Sequence, residues 1–68
     1  MDVRRVVGLN VRRARLALGI TQERLAEESG RTQQYISRLE SGRRNPTVVV
    51  LSDIAAALGT RASDLLRE

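Results

Sequence analysis

The chain has 68 residues, one domain near the lower size limit for folding without staples, and it has no cysteine or histidine to supply disulfides, metal ligands or acid–base groups. All twelve basic residues are arginine and they face eight acidic ones, for a net charge of +4. No apolar run nears the ~20 residues of a membrane span, and Arg4 and Arg5 precede no apolar stretch long enough for a signal peptide, so a cytoplasmic protein without a membrane partner is expected.

The first helix is predicted over residues 3–18, where Val7, Val11, Ala14 and Leu18 recur at helical spacing as one apolar stripe. Gly19, Gly30, Gly42 and Gly59 each stand where a helix can close in a left-handed cap. Thr21 is placed to cap a second helix over 22–29, with Leu25 and Ala26 on its apolar side. Thr32 opens a third over 33–41, which buries Ile36 and Leu39. Pro46 closes the next loop and biases Asn45 away from helix. Thr47 then caps a fourth helix over 48–58, with Leu51, Ile54, Ala55 and Leu58 as its stripe. A fifth is predicted over 62–67; Arg61 is a poor cap, so Thr60 is the alternative start. The longest strand-like run is "TVVVL", and helical spacing continues past it. With no repeats or linkers, the expectation is a single all-α domain over 1–68, made of five compact helices. Tyr35 is the only aromatic, so the core must be Leu, Ile, Val and Ala.

Residues 22–41 form a unit. Two short helices crossing steeply over a three- or four-residue turn need a small residue at the crossing, here Ala26. The turn needs a residue that tolerates positive φ, here Gly30. At ~100° per residue, Gln34, Ser37, Arg38 and Ser41 point away from the Ile36/Leu39 direction, and Gln33 sits at the open N-terminal end. Tyr35 and Glu40 fall on opposite flanks. Charge follows the same division. Residues 1–21 hold five Arg against one Asp, 22–30 three Glu against one Arg, and 31–47 four Arg against one Glu. Two basic blocks around an acidic one suit a face turned to a polyanion, although ordinary surface charge can give the same count.

The segments "TQERLA", "YISRLESG" and "IAAALG" carry a resemblance. From about Val7 to Leu66 the chain resembles the helix-turn-helix domain of the phage-repressor-like (xenobiotic-response-element) family. The resemblance implies a lambda-repressor-like five-helix domain that binds operator DNA as a dimer, its third helix in the major groove. It also implies that Gln22 clamps a phosphate, that Arg15 and Glu40 pair to join helices one and three, and that copies meet through helices four and five. The residues fit these roles chemically. Gln pairs bidentately with adenine and Arg with guanine, which suits Gln33, Gln34, Ser37 and Arg38 to base edges. Gln22 and Thr32 stand at helix N-termini, where free backbone N–H groups favour phosphate, and caps alone also account for them. Arg43 and Arg44 follow the reading helix and are candidates for the DNA backbone or minor groove, with Arg31 a weaker one. Tyr35 is expected to cover the core edge and offer its hydroxyl to water or phosphate.

Two features depart from the family pattern. One face of the fourth helix cannot bury Val48, Val49, Val50 and Leu51 together, and relatives usually have a polar residue at Val49. Val49 and Val50 are therefore the candidate dimer interface, against the simpler reading of one tolerated surface valine. Arg61 stands where serine or aspartate caps are common. The expected function is a sequence-specific DNA-binding transcriptional regulator, preferably a repressor, acting without cofactor as a homodimer on a palindromic double-stranded operator. An antitoxin, which would add a partner protein, and a restriction–modification controller have the same build. A protein–protein adaptor would show apolar or acidic outer residues on the third helix, which "QQYISR" does not. An enzyme has no support, because Glu27 and Glu28 are adjacent and point different ways. A chain ending at Glu68 leads one to expect no effector domain.

Overall fold

The computed structural model describes residues 2–68, which form five helices: α1 (Val3–Leu18), α2 (Gln22–Ser29), α3 (Gln33–Glu40), α4 (Val48–Leu58) and α5 (Ala62–Leu65). No helix among the described residues is long and apolar enough to cross a membrane. Local chemistry sets the boundaries. Thr21, Thr32 and Thr47 accept from the backbone N–H three residues on, at 3.0, 3.0 and 3.1 Å, each satisfying one orphan donor of the helix it opens. At the end of α3, Gly42 has φ +78°; its N–H donates to the Leu39 carbonyl (3.1 Å) and that of Arg43 to the Arg38 carbonyl (2.9 Å). That closure needs a left-handed residue, so the chain leaves the helix at Glu40, one residue before the expected end.

The α5 helix departs further from expectation. It stops at Leu65 instead of 67, where the Leu66 and Arg67 N–H groups turn to bonds three residues back, at 3.2 and 3.4 Å. Arg61 is its N-cap residue, and Thr60 does not cap it. The Thr60 hydroxyl instead donates to Asp64 Oδ2 at 2.9 Å, and the same oxygen accepts from the Arg61 N–H at 3.3 Å. Arginine has no acceptor to offer a cap, so Asp64 supplies the stabilising contact from inside the helix.

The core is one cluster: Val7 and Val11 of α1, Leu25 and Ala26 of α2, Ile36 and Leu39 of α3, the four expected residues of α4, and Leu65. The α1 helix packs on α3, α4 and α5, while α2 packs on α3 and α4. Leu18 does not join the core; it is 53% exposed, because Ile20, just past the Gly19 turn, packs against the core instead. Two residues of α1 fix its seat. A Cβ on Gly8 would overlap the Leu39 carbonyl and lie 3.0 Å from that of Glu40, so only glycine lets α1 lie on the end of α3. Asn10 Nδ2 donates to the Leu65 and Arg67 carbonyls at 2.9 and 2.7 Å, closing α5 onto α1.

Candidate nucleic-acid interface

The α3 helix is held from behind by a buried ion pair. Arg15 Nε lies 2.6 Å from Glu40 Oε2 and Arg15 Nη2 lies 3.0 Å from Oε1, with the side chains 10% and 3% exposed. The third direction of the guanidinium is used too, since Nη1 donates to the Ile20 carbonyl at 2.9 Å. The Glu40 hydrogen bonds hold the Arg15 proton more tightly than usual, outweighing the opposing effect of burial. Gln22, the first residue of α2, adds a fourth contact, its Nε2 donating to Glu40 Oε1 at 3.1 Å. Its second amide hydrogen is left for another acceptor. A group bound by Gln22 would thus connect through Glu40 to Arg15 and the end of α1.

With that support behind it, α3 turns Gln33, Gln34, Ser37 and Arg38 outward. Gln34 and Arg38 form the outer ridge, because both border two open concavities, one on each flank. The first flank brings Gln22, Gln33, Ser37 and Arg43 together beside the ridge. The second brings Thr32, Tyr35 and Arg44. Consecutive arginines therefore diverge to opposite sides of the same helix. Arg44 is further fixed, its guanidinium carbon lying 4.7 Å from the centre of the half-buried Tyr35 ring. Apart from Ser37, Thr32 and the Tyr35 ring, both flanks are lined by amides and guanidinium groups. Such groups donate to base edges and phosphate oxygens.

Arg31 goes elsewhere. Its Nη2 donates to Asp53 Oδ2 at 2.9 Å and its Nη1 to the Gly30 carbonyl at 3.1 Å, so it borders neither concavity and ties the α2–α3 turn to α4. On α4, Val48 and Val49 are 81% and 68% exposed, whereas Val50 packs partly against the core. The exposed apolar pair is therefore Val48 and Val49.

A helix-turn-helix family model matches residues 11–65, taking in the whole α2–turn–α3 unit and its supports. The chain belongs to the helix-turn-helix family. Among its relatives, an uncharacterised helix-turn-helix transcriptional regulator of Sinorhizobium fredii, y4dJ, is 50% identical over 97% of this chain and 86% of its own. The crystal structure of a hypothetical transcription factor of Neisseria, NHTF, superposes with a TM-score of 0.92 at 38% identity, over 97% of this chain and 76% of that one. The restriction-modification controller protein C.AhdI of Aeromonas hydrophila superposes with a TM-score of 0.88 at 34% identity, covering 91% of this chain and 94% of its own.

Four positional contributors escape a sequence reading of this family member. The Arg31–Asp53 and Gln22–Glu40 contacts join residues 22 and 18 apart, and Asn10 reaches residues 55 and 57 away. No local pattern announces such pairs. Gly8 is different: a glycine inside a helical pattern costs stability there and so points to a packing reason.

Proposed function

We propose that this chain is a sequence-specific DNA-binding transcriptional regulator, most simply a repressor, acting as a homodimer on a palindromic operator with α3 in the major groove. The carrying observation is the outer ridge of α3, where Gln34 and Arg38 stand between two concavities that each hold one loop arginine. In this reading Gln33, Gln34, Ser37 and Arg38 meet base edges, while Gln22, Arg43 and Arg44 meet phosphates. Arg31 is left out of the contact set, since Asp53 already holds its guanidinium. Family membership and the likeness to named transcription factors support the reading.

Selection of bound DNA from a random pool tests it. The expected result is a two-fold-related consensus with half-sites about one helical turn apart, ~34–36 Å. Failure to enrich any sequence over several rounds would overturn the proposal. The likeness to C.AhdI favours a second, narrower reading, a restriction–modification controller. The same selection serves it: a consensus recovered beside genes for a nuclease and a DNA methyltransferase would favour the controller over a general repressor.

A further inference from the structure

The two loop arginines are adjacent in sequence yet differ in one physical respect. Arg43 borders its flank of α3 with only amides, a hydroxyl and Arg38 for company. Arg44 lies over an aromatic face, 4.7 Å from the ring centre to the guanidinium carbon. Tyr35 is itself well fixed. Its backbone N–H is bonded to the Thr32 hydroxyl at 3.0 Å, and the residue is partly buried against the core. It is also the only aromatic residue in the chain. The single aromatic of the sequence thus stands at a core-edge position where it also carries a cation from the following loop.

We propose that Tyr35 is a positioning residue. Its ring holds the Arg44 guanidinium in place beside Gln34 and Arg38 before DNA arrives, so that Arg44 meets a phosphate without first being ordered. The proposal rests on the DNA-binding reading above and adds to it a division of labour between the two flanks. An exposed arginine in the loop between α3 and α4 otherwise samples many rotamers and loses that freedom on binding. Stacking on Tyr35 moves this loss into folding. It leaves the edge of the planar guanidinium and its N–H donors free, because a stacked cation uses its face and a phosphate uses the donors along its edge. The Tyr35 hydroxyl has no necessary part in this arrangement. The ring face does the holding.

The stack is tested first in the free protein. Ring currents should shift the Arg44 side-chain methylene protons upfield in wild type and in Tyr35→Phe, and the shift should vanish in Tyr35→Leu, which keeps an apolar cover on the core. Operator affinity is then measured for these proteins with and without Arg44→Ala. Tyr35→Leu should weaken binding about fivefold when Arg44 is present, in line with a modest cation–π energy. In the Arg44→Ala background it should change affinity by less than about twofold, because coupled residues share one loss. Tyr35→Phe should bind like wild type. Equal losses from Tyr35→Leu in both backgrounds would overturn the proposal, as would a Tyr35→Phe protein as weak as Tyr35→Leu, since the hydroxyl would then make the contact. Failure of wild type to bind any selected DNA is a separate outcome that removes the underlying reading, even with the upfield shift intact.

Discussion

Gln34 and Arg38 lie one helical turn apart on the outer ridge of α3, each bordering both open concavities, and the proposed function assigns both to base edges. Arg43 approaches from the loop, to one side of that ridge. These placements predict different phenotypes. Gln34→Ala should cost about 1–3 kcal/mol on the selected operator and relax preference at one base pair. Arg43→Ala should weaken operator and scrambled DNA about equally, and should reduce the salt dependence of binding by about one unit, the effect of one fewer neutralised phosphate. Affinities for both DNAs at several salt concentrations separate the two. An unchanged salt slope for Arg43→Ala would take that guanidinium off the phosphates. The outward set on α3 was legible in the sequence because it needs only the helical period and the two buried residues Ile36 and Leu39. The partners of Arg31 and Arg44 were not. A loop or turn arginine has no periodicity, and its direction depends on whether a carboxylate such as Asp53 or a ring such as Tyr35 lies within reach once the chain has folded.

Among the helices, the Arg15–Glu40 pair works as a strut from α1 to α3. It is nearly dry, with the guanidinium bonded to both carboxylate oxygens and a carbonyl, so removing either partner leaves a stranded charge. Such losses run to ~3–5 kcal/mol, against a total stability of roughly 3–10 kcal/mol for a domain of this length. Arg15→Met alone should therefore lower the melting temperature sharply. The double variant Arg15→Met/Glu40→Met should melt above either single one, because an apolar pair strands no charge. Additive losses in the three melts would mean the residues act independently. A weaker, pH-sensitive contact holds α5. Hydrogen bonds from the Thr60 hydroxyl, and then from the Arg61 N–H, depress the Asp64 pKa below its ordinary 3.8. Because the folded value is lowered, this contact stabilises α5 above pH 3.8 and is lost as pH falls through the depressed value. Carboxyl-carbon titration by NMR should show Asp64 moving up toward the ordinary value in Thr60→Val. An unmoved titration would take the Thr60 hydroxyl out of the shift and leave it to the Arg61 N–H and the nearby Arg67 and Arg61 charges. A threonine cap or glycine closure in the chain itself gives α1, α2 and α4 their expected ends and α3 its start. The bounds of α5 are not legible in the sequence because its stabilising carboxylate lies inside the helix, and the carbonyls of Leu65 and Arg67 are claimed by Asn10 from the other end of the sequence. Leu18 has the right angular position on α1, but Ile20 takes the core place beside it.

At the scale of the whole molecule, the domain measures 29 × 21 × 21 Å, and in the proposed function it offers a single helix, α3, to the major groove. Half-sites of a two-fold operator lie ~34–36 Å apart, so one copy cannot occupy both. A second copy doubles the base contacts, and a two-fold interface between copies requires a self-complementary surface. Val48 and Val49, at the exposed start of α4, are the most exposed of the large apolar side chains among the described residues and the adjacent pair we assign to it. Two valines per copy make a small patch, so the free dimer should be weak and the operator should stabilise it. The α4 helix also carries Asp53, whose carboxylate accepts from Arg31 in the turn before α3 and so ties that turn to α4. Val49→Asp would set two carboxylates near the symmetry axis while changing only an exposed side chain. Folding stability should therefore move by no more than about 0.5 kcal/mol, and affinity for a half operator should be retained. Affinity and cooperativity on the full operator should fall. Sedimentation of wild type and variant, beside titrations of half and full operators, reads all of these quantities. A variant that fills the full operator as cooperatively as wild type would move the interface away from α4, with the exposed Leu66 at the end of α5 the next residue to substitute.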